Sequence, residues 1–195
     1  CPNAVKASGG TKVIYHHTSC INQGLHPRVQ AQILHPKQPS FRCHWDFPAL
    51  QFKANLRFNT QQELYIIHEM WAAREAPSVH HAGISYAIFV QNGYFIQRKA
   101  QFAQASFAYA HAQWILCVSQ DIEDCVRFLF PTLAHKIVRL HISVDAALFQ
   151  PAQQKENIIT YMPRKIKKHA DLVLFFLAAH LPAHWRIEAI DGLSP

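Results

Sequence analysis

A chain of 195 residues, half of them hydrophobic and 16% charged, carries enough apolar surface for a folded core, which excludes wholesale disorder. Lysine and arginine outnumber aspartate and glutamate to give a net charge of +7, a bias shared by proteins that meet nucleic acid, anionic membranes or phosphorylated ligands. No run of 18 apolar residues occurs, because the richest stretch, 172–181, is too short to span a bilayer, and the first residues do not pattern as a signal peptide.

In chain order, Ser8-Gly9-Gly10 reads as a glycine loop feeding a helix over 11–23, with Val13, Ile14 and Ile21 on one face and Gly24 as its stop. Residues 28–34 alternate polar and apolar before His35-Pro36, a strand signature. The stretch 37–60 is rich in Pro and aromatic residues without sustained period, and reads as irregular with one short strand near 50–54. Two apolar strands follow: 63–67, which empties into His68-Glu69, and 86–90, which empties into Gln91-Asn92-Gly93. Polar residues delivered at the C-terminal ends of parallel strands stand where α/β sheets bind ligands, so His68, Glu69 and Asn92 are candidates for the cleft or acceptor side.

An alanine-rich helix is expected over 102–112 and a strand over 114–118. Ser119 then stands as the N-cap of a helix whose first turn carries Asp121, Glu123 and Asp124, whose buried stripe is Ile122, Cys125, Val126 and Leu129, and which Pro131 ends. Ser119 is also kept among the cleft candidates, although nothing of the G-x-S-x-G type surrounds it. Residues 136–142 alternate as the next strand, and 152–156 read as a linker between a first domain, 1–151, and a second, 157–195. The second opens with an apolar strand, the turn Met162-Pro163-Arg164-Lys165, a helix from about 166 to 180 with Ile166, Ala170, Val173, Leu174 and Leu177 on one face, and a second strand. Repeated strand-helix-strand alternation makes the fold class α/β. A βαβ unit of this size leaves strand faces uncovered, so the domain is expected to continue past Pro195, and the opening at Cys1-Pro2 without methionine leads to the same expectation upstream.

The only dense basic cluster is Arg164, Lys165, Lys167 and Lys168, at a strand-to-helix turn where a helix N-terminus and flanking cations hold phosphate. That favours a small phosphorylated ligand over a duplex. Fourteen histidines include the pairs His16-His17 and His80-His81, but neighbours point to different sides and no H-E-x-x-H pattern occurs, so no metal site is expected. Five cysteines, at 1, 20, 43, 117 and 125, form no CxxC pair and no zinc spacing, and reduced thiols in the cytoplasm are the plain expectation.

Taken in order, these pieces resemble the bacterial nucleotide-sugar-dependent glycosyltransferases of the GT-B fold, which have two Rossmann-like domains. The residues that carry the resemblance are Ser8-Gly9-Gly10, Phe89-Val90-Gln91-Asn92, Val118-Ser119, Val144-Asp145 through Phe149-Gln150-Pro151, and Tyr161-Met162-Pro163-Arg164-Lys165 with the later Ile190-Asp191-Gly192. The resemblance implies most of a Rossmann-like N-terminal, acceptor-side domain and the first βαβ of a nucleotide-sugar-binding domain. It implies transfer of a sugar from a nucleotide-diphosphate-sugar to a glycan or lipid-linked acceptor, in cell-surface polysaccharide biosynthesis. It places the donor diphosphate at Gly9, Gly10, Arg164 and Lys165, with Lys168 as a third cation. No metal or other cofactor is implied, because fixed cations and backbone N–H groups take the metal's part. The location implied is cytoplasmic, with a peripheral contact at the inner face of the membrane through the Lys167-Lys168 end of the last helix. The family's acidic donor-sugar ligands lie later in the second domain, so this stretch alone is not expected to turn over. The rival readings are a noncatalytic nucleotide- or phosphate-binding α/β module and, from another class, a basic nucleic-acid-binding protein. Aromatics confined to apolar runs such as Phe128 to Phe130 and Phe175-Phe176 count against the last.

Overall fold

The computed structural model describes residues 1, 3, 9–25, 27–55, 57–97, 102–142, 146–163 and 167–190. The chain forms two compact units, Cys1–Ser143 and Val144–Pro195. Both are α/β. The first is built on a four-stranded parallel sheet of order β1-β2-β3-β4, where β1 is Tyr65–His68, β2 Tyr86–Val90, β3 Trp114–Cys117 and β4 Ile137–Arg139. The connecting helices are α2 (Glu69–His81), α3 (Phe102–His111) and α4 (Gln120–Leu129), and α1 (Gly9–Cys20) precedes the sheet.

Sequential strand order with right-handed crossovers sends α2, α3 and α4 to one face of the sheet. Alternation along the strands agrees, since Ile67, Tyr86, Ile88, Val90, Ile115 and Cys117 share one buried cluster with Ala72, Ala76, Ala105, Ala108, Ile122 and Val126 of those helices. Within this core the Tyr86 hydroxyl donates to the Ala108 carbonyl at 2.8 Å. Ala87 and Phe89 point to the opposite face, where the His17 ring of α1 lies 5.8 Å from Phe89. The central strand β2 is therefore buried on both sides, and its unbroken apolar run made it the clearest strand to read.

Several expectations change. The glycine pair does not form a loop before the first helix: α1 starts at Gly9, and its buried positions are Thr11, Tyr15, Thr18 and Ser19 rather than the stripe through Val13 and Ile14. One π-type turn, Ile21–Leu25, closes it at Gly24, whose φ of 121° only glycine adopts easily. The alternating segment 28–34 is not a strand. It makes one parallel bridge, Ile33 to Phe52, because a single rung pairs it with the expected 50–54 segment and no ladder extends from there. The chain from 69 to 81, unassigned by pattern, forms α2 despite the interior Pro77. The strand expected over 136–142 shortens to β4 because Pro131–Lys136 forms a 3-10 turn.

The second unit contains β5 (Ile158–Tyr161), α5 (Lys167–His180) and β6 (Arg186–Ala189), the strands pairing in parallel. Ala170, Leu174 and Leu177 form the half-buried side of α5, while Val173 is exposed along with Leu172, Phe175 and Phe176. Ser8, Val144, Asp145, Arg164, Lys165, Ile166 and 191–195 lie outside the described residues.

Candidate functional site

The polar groups at the C-terminal ends of β1 and β2 converge on the first turn of α1. His68 ends β1 and N-caps α2, with Nδ1 accepting from the Met70 N–H at 3.3 Å. That leaves Nε2 as the protonated nitrogen, which donates to Gln91 Oε1 at 3.2 Å. Gln91 in turn donates from Nε2 to the carbonyl of Gly10 at 3.2 Å. A directed chain thus runs from β1 through the end of β2 to α1. Burial lowers the pKa of His68, so the imidazole is neutral, as this tautomer requires.

Glu69 sits beneath this chain, its side chain 1% exposed. Burial pushes its carboxyl up to about 7, against the pull of N–H groups on Gln91, Asn92 and its own backbone. The Gln91 N–H donates to Oε2 at 3.2 Å, and Oε2 also lies 3.1 Å from His68 Nδ1. Burial disfavours the charged form of both partners, so this second approach is a weak ion pair at most. Oε1 is buried and finds no partner among the described residues, and the same holds for the hydroxyl of Tyr109. Burial holds the Tyr109 phenol well above its ordinary pKa, and Glu69, once ionised, adds to that. A buried acid poised near neutrality at a sheet's C-terminal edge is the feature most indicative of a functional site here.

The other sequence candidates fall as follows. Gly10 lies inside the cluster: a Cβ there would collide with the carboxamide of Gln91 and come within 3.9 Å of His68 Nε2. Gly9, one residue earlier, has open space around it, and the first turn of α1 carries no acidic residue. Asn92 is spent locally, its Oδ1 accepting the Tyr94 N–H at 3.0 Å to open the turn Gly93–Gln97. Ser119 caps α4, its Oγ accepting the Ile122 N–H at 3.2 Å. Lys168 stands exposed in the first turn of α5, next to Lys167, which pairs with Asp171 at 2.9 Å. Arg164 and Lys165 lie outside the described residues. Gln91, the hub of the chain, was not among the candidates; its position directly after the most apolar strand was the one signal for it.

No cluster of three or more His, Cys, Asp or Glu among the described residues is arranged to hold a metal ion, and none of the described helices is long and apolar enough to cross a membrane. No disulfide forms among the described residues. A recess of about 590 Å³ in the second unit, lined by Lys155, Glu156, Trp185 and Arg186, lies at the N-terminal ends of β5 and β6, the edge opposite to that where parallel sheets take ligands. Its Arg186 is already engaged by Glu156 and Glu188. No protein-family model matches this chain, and no curated protein or solved structure matches it.

Proposed function

We propose that the chain is part of a GT-B-type glycosyltransferase that moves a sugar from a nucleotide-diphosphate-sugar to a glycan or lipid-linked acceptor. The observation that carries this reading is the position of α1, whose first turn, with Gly9 and Gly10 and no carboxylate, meets the C-terminal ends of β1 and β2. Free N–H groups of a helix N-terminus at that edge of a parallel sheet favour a diphosphate. In this reading the first unit is a Rossmann-like acceptor-side domain, and residues 157–195 open a nucleotide-sugar-binding domain.

Cleaving the sugar–phosphate bond leaves negative charge on the departing nucleotide. Backbone N–H groups at Gly9 and Gly10 and the cations Arg164, Lys165 and Lys168 stabilise that charge as it develops. His68 and Glu69 stay on the acceptor side, where His68 is held in one tautomer by Gln91 and Met70. The location that suits a lipid-linked acceptor is the cytoplasmic face of a membrane.

Calorimetric titration with UDP, GDP and dTDP tests the assignment. Replacing Arg164 and Lys165 together by Ala should weaken binding of the preferred nucleotide at least tenfold, about 1.4 kcal/mol or more, without moving the unfolding midpoint. Unchanged affinity in the double variant overturns the donor assignment. In a complete version of the protein, nucleotide binding without release of sugar from the matching sugar nucleotide favours the noncatalytic phosphate-binding module instead.

A further inference from the structure

The segment 41–52 has no regular secondary structure, yet it is held firmly. Its base is fixed by the bridge between Ile33 and Phe52, through bonds from Ile33 N–H to the Gln51 carbonyl at 2.8 Å and from Lys53 N–H to the Ile33 carbonyl at 2.9 Å. Asn22 donates to the Ala49 carbonyl at 2.9 Å while also gripping Ala31 through its N–H and carbonyl. The fully buried Tyr15 accepts the Cys43 N–H at 3.1 Å. Ala49 is the one non-glycine among the described residues with positive φ, at 57°. An irregular loop pinned by core side chains and carrying a strained residue is the kind of wall that binding sites use.

Between this loop and α1 lies an open recess of about 510 Å³, within the ~300–1,000 Å³ range of small-ligand sites. Residues 41–47 alternate: Phe41, Cys43, Trp45 and Phe47 are half-buried, whereas Arg42, His44 and Asp46 face solvent. The recess therefore has an aromatic lining of Tyr15, Trp45, Phe47 and Phe52, and a polar rim that includes Arg42 and Asp46. The Arg42 guanidinium is stacked 3.7 Å over Phe52 and fastened to the carbonyls of Pro39 and Phe41. Lys12 of α1 stands 5.0 Å over the Trp45 ring. None of the ion pairs among the described residues engages Asp46.

We infer that this recess binds a saccharide ring. The C–H groups on one face of a pyranose are weakly positive and meet the negative face of an aromatic ring, and Trp45 and Phe47, which Lys12 and His16 approach from α1, both line the recess. A rim carboxylate accepts from two neighbouring hydroxyls, and the fixed guanidinium of Arg42 donates to ring or glycosidic oxygens. A hydrocarbon chain is disfavoured by the three exposed polar residues of the rim. The recess is reached from α1: Tyr15 is five residues from Gly10, roughly 7.5 Å along the helix axis, so the saccharide lies close to the end where Gly10, Gln91 and His68 meet. Its role as the acceptor's sugar rests on the glycosyl-transfer reading; its binding does not.

The experiment uses the whole chain and the methyl glycosides of glucose, galactose, mannose and rhamnose at millimolar concentration. Binding is followed by saturation-transfer NMR and by tryptophan emission. At least one glycoside should bind saturably and change the emission, and Trp45→Phe should keep binding while losing that change. Trp45→Ala and Asp46→Asn should each weaken binding about tenfold, as loss of a stacking surface or of a bond to a charged group does. Asp46 is exposed, so its variant tests the site even if Trp45→Ala disturbs the fold. Absence of binding by every glycoside, or binding indifferent to Asp46→Asn and Trp45→Ala, overturns the inference. So does competition by UDP, GDP or dTDP that is lost in Trp45→Ala, which would make the recess a base pocket. Glycoside binding that survives in a chain with no nucleotide affinity would leave the saccharide site standing and remove only its role as acceptor site.

Discussion

Replacing Glu69 by Gln should flatten the pH dependence of stability between pH 4.5 and 7, the interval over which burial holds this carboxyl above its ordinary value. In that interval the native state keeps a proton that the unfolded chain has released. The stabilising contribution is therefore fully present below pH 4.5, declines as pH rises, and is lost once pH passes about 7. At ~1.4 kcal/mol per pH unit of offset, the wild-type chain should lose roughly 3 kcal/mol across the window through Glu69 alone. His68 works in the opposite sense, since its lowered pKa means that the native state refuses a proton the unfolded histidine takes up in mild acid. The difference between wild type and Glu69→Gln therefore isolates the carboxyl better than either curve does. The variant's carboxamide keeps an oxygen for the Gln91 N–H, so the local fold should persist. Urea unfolding at several pH values from 4.5 to 7 gives the readout. Parallel curves for the two proteins would show that Glu69 ionises normally and would remove the argument for a poised acid at the sheet edge.

Two neighbouring glycines should respond in opposite directions. Gly9→Ala places its methyl group in open space and should stabilise α1 by up to ~1 kcal/mol, whereas Gly10→Ala drives the Gln91 carboxamide aside and should cost ~1–3 kcal/mol; equal shifts in thermal melts would refute the packing described for Gln91. Ser119→Ala removes the acceptor of the Ile122 N–H at the start of α4 and should lower stability by ~1 kcal/mol in the same assay, an unchanged melt meaning that the cap contributes nothing.

Tyr86–Val90 was legible because burial on both faces leaves a continuous apolar run, and Trp114–Cys117 because it too is apolar throughout, although only Ile115 and Cys117 are fully buried there. The helix Gln120–Leu129 was legible because its cap, its acidic first turn and its buried Ile122 and Val126 all agree. Where the signals conflicted, the pattern failed. Pro77 and the charged Arg74-Glu75 pair hid α2, whose identity rests on packing against α3 through alanines at 72 and 76. Alternation at 28–34 looked like a strand, but a strand is defined by its partner, and only Ile33 found one.

The site divides along the same line between local and long-range information. Ser119 and Asn92 do what their neighbours dictate, one capping a helix and the other opening a turn, and both roles lie within three residues of sequence. His68 and Glu69 were visible as polar residues ending an apolar strand, but the property that distinguishes Glu69, a carboxyl with one oxygen unpartnered in the interior, depends on Tyr109 and Gln91. Gln91 itself bonds to a carbonyl 81 residues earlier in the chain and to a ring 23 residues earlier. A glutamine after a strand has no pattern of its own, and its role exists only once α1 is laid against the sheet. The close packing of Gly10 on Gln91 is therefore the contact that turns separate strand ends into a site, and it explains why a glycine stands there although alanine makes the better helix.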